Sequence, residues 1–225
     1  MMFTPEMLTG KSQAHLVELP SPYASHHKLH YDTVSAFQSL QQSAVKAGFD
    51  LQPASSFRDF ERQRLIWNRK MCGERKVHDD NGTALDFTHC DEWQKIQAIL
   101  RWSAMPGASR HHWGSDIDIY DPTRLPVNQA LQLEPWEYQK QGYFYELSCW
   151  LQEALPHFDF YLPFSSLVHK EIGHEPWHIS HRAVADRAFS LFSPDVLRQS
   201  WQDEAISGKN VLITHLDAIF SRFIL

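Results

Sequence analysis

One twelve-residue stretch, SRHHWGSDIDIY from Ser109 to Tyr120, limits what this 225-residue chain can fold into more than any other. Asp116, Asp118 and Tyr120 alternate with Ile117 and Ile119, the period of a β-strand, so the carboxylates share one face and the isoleucines meet a core. His111 stands seven residues before Asp118, beyond Gly114, whose missing Cβ lets the backbone bend and bring imidazole and carboxylate together. Histidine and aspartate supply donors that a catalytic zinc accepts, and such a site takes three protein ligands and keeps one position open. The third ligand is expected from Glu175-Pro176-Trp177-His178. Pro176 opposes a helical arrangement, which puts Glu175 and His178 on a loop or strand edge, one as base and the other as ligand.

The remainder reads as α+β, an antiparallel sheet flanked by helices. Val34, Phe37, Leu40 and Val45 make a helical stripe from Tyr31, stopped at Gly48. Phe49 to Phe57, with Pro53 inside it, reads as a short edge strand running into a loop. Asp59 caps a helix through about Lys70, and Asp91 to Ala104 forms another, ended by Pro106-Gly107. Between them residues 71–90 form a polar surface excursion, either a lid or an ornament. A helix is expected over Tyr145 to Leu155, with strands at Phe158 to Leu162 and Leu167 to His169. The tail from Pro194 to Leu225 is helical, and its final IFSRFIL packs on a core. Helices and strands interleave without regular βαβ alternation, which excludes a doubly wound parallel sheet.

Composition excludes several functions. A net charge of −6 without a basic stripe argues against nucleic acid, and no apolar run is long enough for a membrane span. No Walker loop or dinucleotide-binding glycine motif is present. Cys72, Cys90 and Cys149 are too few for a disulfide framework and are read as free thiols, with a Cys72–Cys90 bridge as the alternative. One domain over residues 1–225 is expected, with a core at about 31–190 and a helical extension at about 194–225. No basic-then-apolar leader opens the chain, so a cytoplasmic location is expected, or a periplasmic one if export uses another route or an upstream start. Oligomeric state is not legible.

Ser109, His111, Gly114 and Asp118 form the pattern Ser-x-His-x-x-Gly-x-x-x-Asp, and about sixty residues later Glu175, Trp177 and His178 form Glu-x-Trp-His. Together they resemble the zinc D-Ala-D-Ala carboxypeptidases and dipeptidases of the VanY/VanX type. The resemblance covers about half the chain, Arg58 to His178. It implies a hedgehog/D-Ala-D-Ala-peptidase-like zinc site, with His111, Asp118 and His178 as ligands, Zn2+ as cofactor and Glu175 as catalytic base. It also implies that Arg58, in the run Ser55-Ser56-Phe57-Arg58, clamps the substrate, with Gln63 five residues on and Ser109 as further substrate contacts. Trp177 is the better pocket aromatic, whereas Trp113 reads as buried area.

The expected substrate is a peptidoglycan-derived peptide cut at a D-alanyl-D-alanine bond. Alternatives are an L,D-carboxypeptidase, a dipeptidase, an endolysin-like endopeptidase, or a zinc-containing binding module without catalysis. His112, His169, His174 and His181 are read as ordinary hydrogen-bonded histidines. The chain departs from the family at Asp116, where a small residue is usual. That extra carboxylate is read as a solvated strand residue, with repulsion of a substrate carboxylate or altered metal preference as the other readings.

Overall fold

The alternation at residues 116–120 does form a strand, and the molecule is arranged around it. The structure is a computed structural model that describes residues 2–20, 27–165 and 171–224. The chain begins with a one-turn helix α1 (Pro5–Leu8) and an antiparallel pair, β1 (Leu16–Glu18) and β2 (Lys28–His30). Helix α2 (Tyr31–Lys46), strand β3 (Gln52–Ser55) and helices α3 (Phe60–Met71) and α4 (Glu92–Leu100) follow. Next come β4 (Asp116–Tyr120), α5 (Pro135–Tyr138), α6 (Tyr145–Ala154), β5 (Phe160–Tyr161) and β6 (His178–His181). Helices α7 (Arg182–Leu191), α8 (Pro194–Ser200), α9 (Lys209–Thr214) and α10 (Leu216–Ile219) complete it.

The main sheet runs β3-β4-β6-β5, antiparallel throughout. Pro53 lies on β3 at the sheet edge, where its missing N–H leaves no gap in an inner ladder. Asp59 caps α3 by accepting from the Arg62 N–H at 2.7 Å, and Asp91 closes a reciprocal capping box with Gln94 on α4.

Several expectations are revised. Glu175 lies on a loop and His178 opens β6, in keeping with the loop or strand edge expected, but β6 is an inner strand, between β4 and β5. The expected strand at Phe158 to Leu162 shrinks to two residues, since Leu155–Phe158 is wound into a 3-10 turn. The expected strand Leu167 to His169, and His169 itself, lie outside the described residues. Cys72, Cys90 and Cys149 are free thiols.

Two apolar clusters make up the core, one of them built on the sheet. Ile117, Ile119 and Ile179 pack with Phe37 and Leu40 of α2 and Leu147 and Leu151 of α6. Each such fully buried side chain contributes about 1.5–3 kcal/mol. The other cluster joins Phe60 and Trp67 of α3 to Ile96 of α4, Val184 of α7 and the tail residues Leu197, Trp201, Leu212 and Ile219. The tail is thus built into that core. The sheet face opposite the isoleucines carries Asp116, Asp118, His178 and Ser180, all buried.

The N-terminal segment braces the turn that precedes β4. Gly114 adopts φ +70°, and a Cβ there would lie 2.5 Å from both the His30 backbone nitrogen and Leu16 Cδ2. Its carbonyl accepts from the His30 N–H at 2.9 Å. His112 and His15 are fully packed beside this turn: His112 Nδ1 is 2.6 Å from the Arg58 carbonyl, and His15 Nε2 is 3.0 Å from the His112 carbonyl. Gly114→Ala should cost at least about 1 kcal/mol from the left-handed backbone alone, read as a lowered denaturant midpoint. Burial pushes His112 down to about 3 and His30 down to about 4. Below the free histidine value of about 6.5 the unfolded chain therefore takes up protons that the folded chain refuses. Stability should fall as pH drops from about 6.5 toward 4, with a slope that His30→Gln makes shallower in chemical-denaturation series.

Candidate active site

Sheet register brings the polar residues together. Asp118 on β4 is paired with His178 on β6, and Asp116 with Ser180, so all four side chains stand side by side on one face. His111 comes from the 3-10 turn Arg110–Trp113, which Gly114 ends and turns back toward the strand. His111 Nε2 lies 3.3 Å from Asp118 Oδ2, and His178 Nδ1 lies 3.2 Å from Asp118 Oδ1. The donor atoms of these three residues all fall within 4.8 Å of one another.

This donor set fits a zinc ion. Ligands about 2.0–2.1 Å from a tetrahedral metal stand about 3.3 Å apart, close to the separations observed. Asp118 Oδ1 is buried without a well-formed hydrogen bond and faces His178 Nδ1. Burial by itself would raise the Asp118 carboxyl, but His111 and His178 hold it far below the usual carboxylate range, as an anion. Glu175 completes the group: its Oε2 is 3.3 Å from His178 Nδ1, and its backbone N–H donates to the Phe164 carbonyl at 3.0 Å.

The site opens on a cavity of about 440 Å³, lined among others by Arg58, Ser109, His111, Asp118, Glu175 and His178. That volume lies in the usual range for small-ligand sites. Residues 75–79 of the polar excursion and Phe223 and Ile224 of the tail contribute to its walls. Trp177 also lines it, although the ring is mostly buried and packs 5.7 Å from Tyr138. Gln63 is not a cavity residue. It is fully buried and its Oε1 accepts from Arg58 Nη1 at 2.8 Å, so it fixes the arginine instead of touching a ligand. His112, His174 and His181 hold structural contacts, as expected for ordinary histidines.

Asp116 is the main correction. It is completely buried, and Oδ1 accepts from Arg110 Nε at 2.8 Å and lies 2.9 Å from His178 Nε2. Oδ2 accepts from the Ser115 and Ser180 hydroxyls. Arg110 in turn donates to the Tyr161 and Ser180 hydroxyls at 2.7 and 2.8 Å. A carboxylate with four partners on an inner strand has no route to solvent. Burial would raise its carboxyl, but Arg110 and His178 keep it well below the usual carboxylate range. Asp116 is placed to accept from His178 Nε2, which turns Nδ1 toward Asp118 and Glu175. The signal was present in the sequence as an i, i+2 relation to Asp118, which puts both on the ligand face. Asp116→Ala should weaken divalent-metal affinity about ten- to hundredfold, read by competition with a chromophoric chelator on protein whose circular dichroism is unchanged. Unaltered affinity would deny Asp116 this role.

Comparison with known proteins agrees with this geometry. Residues 26–184 match the family model described as VanY, D-alanyl-D-alanine carboxypeptidase. A Haemophilus influenzae protein described only as uncharacterized is 69% identical over 105 residues, covering 47% of this chain and 72% of that protein. A solved structure of VanYB in complex with D-alanine-D-alanine aligns with a TM-score of 0.53 at 20% identity, covering 76% of this chain and 79% of that one. A vancomycin-resistance D,D-pentapeptidase of the VanY type, in complex with Zn(II), aligns with a TM-score of 0.50 at 22% identity, over 76% and 80% of the two chains. The ligand-face register, the cavity and a family match spanning most of the chain lead to one statement: this protein belongs to the VanY D-alanyl-D-alanine carboxypeptidase family.

Proposed function

We propose that this protein is a zinc-dependent metallocarboxypeptidase that removes the terminal residue from peptidoglycan peptides ending in D-alanyl-D-alanine. The observation that carries this reading is the placement of the Glu175 carboxylate beside the convergent donors of His111, Asp118 and His178, within a cavity that also presents Arg58. The family match and the zinc-bound VanY-type neighbour support it.

His111 through Nε2, His178 through Nδ1 and the Asp118 carboxylate would hold the metal. When bound, zinc lowers the pKa of a coordinated water toward neutrality and polarises a carbonyl. The chain's own residues supply the rest. Glu175 stands where it takes a proton from the attacking water and returns it to the leaving amine, work typically worth about 10²–10⁴-fold. Gln63 holds one arm of Arg58, which leaves the rest of its planar fork for a carboxylate or developing oxyanion. Ser109, at the start of the histidine turn, lines the same cavity and its side chain does not cap that turn. Enclosure strengthens each of these charge contacts by keeping water out.

The test joins metal content to product release. Parent and Glu175→Ala proteins should each bind about one zinc per chain, and only the parent should release D-alanine from a pentapeptide ending in D-Ala-D-Ala, the variant losing at least about 10²-fold. Release of D-alanine from the tetrapeptide alone would replace this reading with an L,D-carboxypeptidase. Zinc binding with no cleavage of either peptide would leave a non-catalytic module.

A further inference from the structure

One cation in the cavity wall is used by nothing described above. Lys70, on the last turn of α3, is about nine-tenths buried yet has no hydrogen-bond or ion-pair partner among the described residues, and it lines the cavity. A buried ammonium without an acid is costly and is ordinarily paired. Lys70 is one of a group. Arg58, Arg75 and Lys76 line the same cavity and none of them forms an ion pair among the described residues, Arg75 and Lys76 standing exposed at the rim. None of the acids that line the cavity pairs with Lys70: Asp118 belongs to the donor cluster, Glu175 stands beside it, Asp79 accepts from the Asn81 and Thr83 N–H groups, and Glu134 lies at the start of α5.

Helix geometry directs Lys70 toward Arg58. Gln63, Trp67 and Lys70 share the buried stripe of α3, and helical side chains lean toward the N-terminus, the end at which Gln63 grips the Arg58 guanidinium. The electrostatics agree: burial and the charge of Arg75 push Lys70 down to about 8, with Glu175 pulling upward and Arg58 downward. A lysine that is mostly buried, lowered by the charges of two arginines and lining the cavity lacks only an anion.

Taking the peptidase reading as its basis, we propose that Lys70 is a second cation, beside Arg58, for the free C-terminal carboxylate of the substrate. It makes the site exo-acting, because a chain continuing past the cut bond brings a neutral amide to this place and leaves the lysine without an anion. Lys70 is thus a specificity-determining residue that separates a carboxypeptidase from an endopeptidase.

The experiment uses zinc-loaded Glu175→Ala protein, which binds without turnover, with and without Lys70→Met or Lys70→Arg. The probes are a pentapeptide ending in D-Ala-D-Ala as the free acid and as the C-terminal amide, titrated by calorimetry. Lys70→Met should weaken binding of the acid about ten- to hundredfold, the scale of a charge-assisted hydrogen bond, and leave the amide unchanged. Lys70→Arg should keep most of the preference for the acid. An acid-to-amide ratio equal in Lys70→Met and its parent would overturn the role of Lys70 while leaving the peptidase reading intact. Failure of the Lys70-containing protein to bind either probe would instead remove the peptidase reading, and this inference with it.

Discussion

The pairing of Asp118 with His178 across β4 and β6 is the constraint on which the site depends. Because side chains alternate on a strand, a slip of one residue in this register would move every ligand to the isoleucine side and every isoleucine into the cavity. The register is held from both faces. Ile117, Ile119 and Ile179 lock it on the apolar side, and the Asp116 carboxylate locks it on the polar side through His178, Ser180 and Arg110. Folding the core and assembling the donor set are one event.

That arrangement buries several charges, which is expensive unless they are mutually satisfied. Arg110 neutralises Asp116 and reaches the Tyr161 and Ser180 hydroxyls, so the carboxylate behind His178 is fully compensated. Asp118 differs, with one oxygen buried and unbonded. His111 Nδ1 is likewise buried and without a partner among the described residues, so His178 is the anchored member of the pair of histidines. The compensated groups lie behind the donors and the uncompensated ones converge, as expected of a site built to receive a cation.

Much of this was legible in the sequence, for identifiable reasons. Period-two alternation located β4 and its polar face, Gly114 marked the bend, and Asp59 and Asp91 announced helix starts by capping chemistry. The donor residues followed from the motif His111, Asp118 and His178. What escaped depended on tertiary context. Nothing local shows that β6 is an inner strand, and Asp116 looks solvated until Arg110 and His178 are seen to close over it. Gln63 looked like a substrate contact because the motif pairs it with Arg58, and only burial shows that it acts on the arginine. The tail's Phe223 and Ile224 reach the cavity through folding of α8–α10 onto α3, a long-range contact without a local signature.

The central claim is that His111, Asp118 and His178 together bind one zinc. Zinc X-ray absorption on protein loaded with one equivalent of the metal tests it most directly. The account predicts a first shell of nitrogen and oxygen only, with the scattering of two imidazoles at about 2.0–2.1 Å and a further oxygen that shifts when a phosphinate analogue of the dipeptide is added. A sulfur shell at about 2.3 Å would place the metal on the cysteines instead, and a single-imidazole signal would break the register argument.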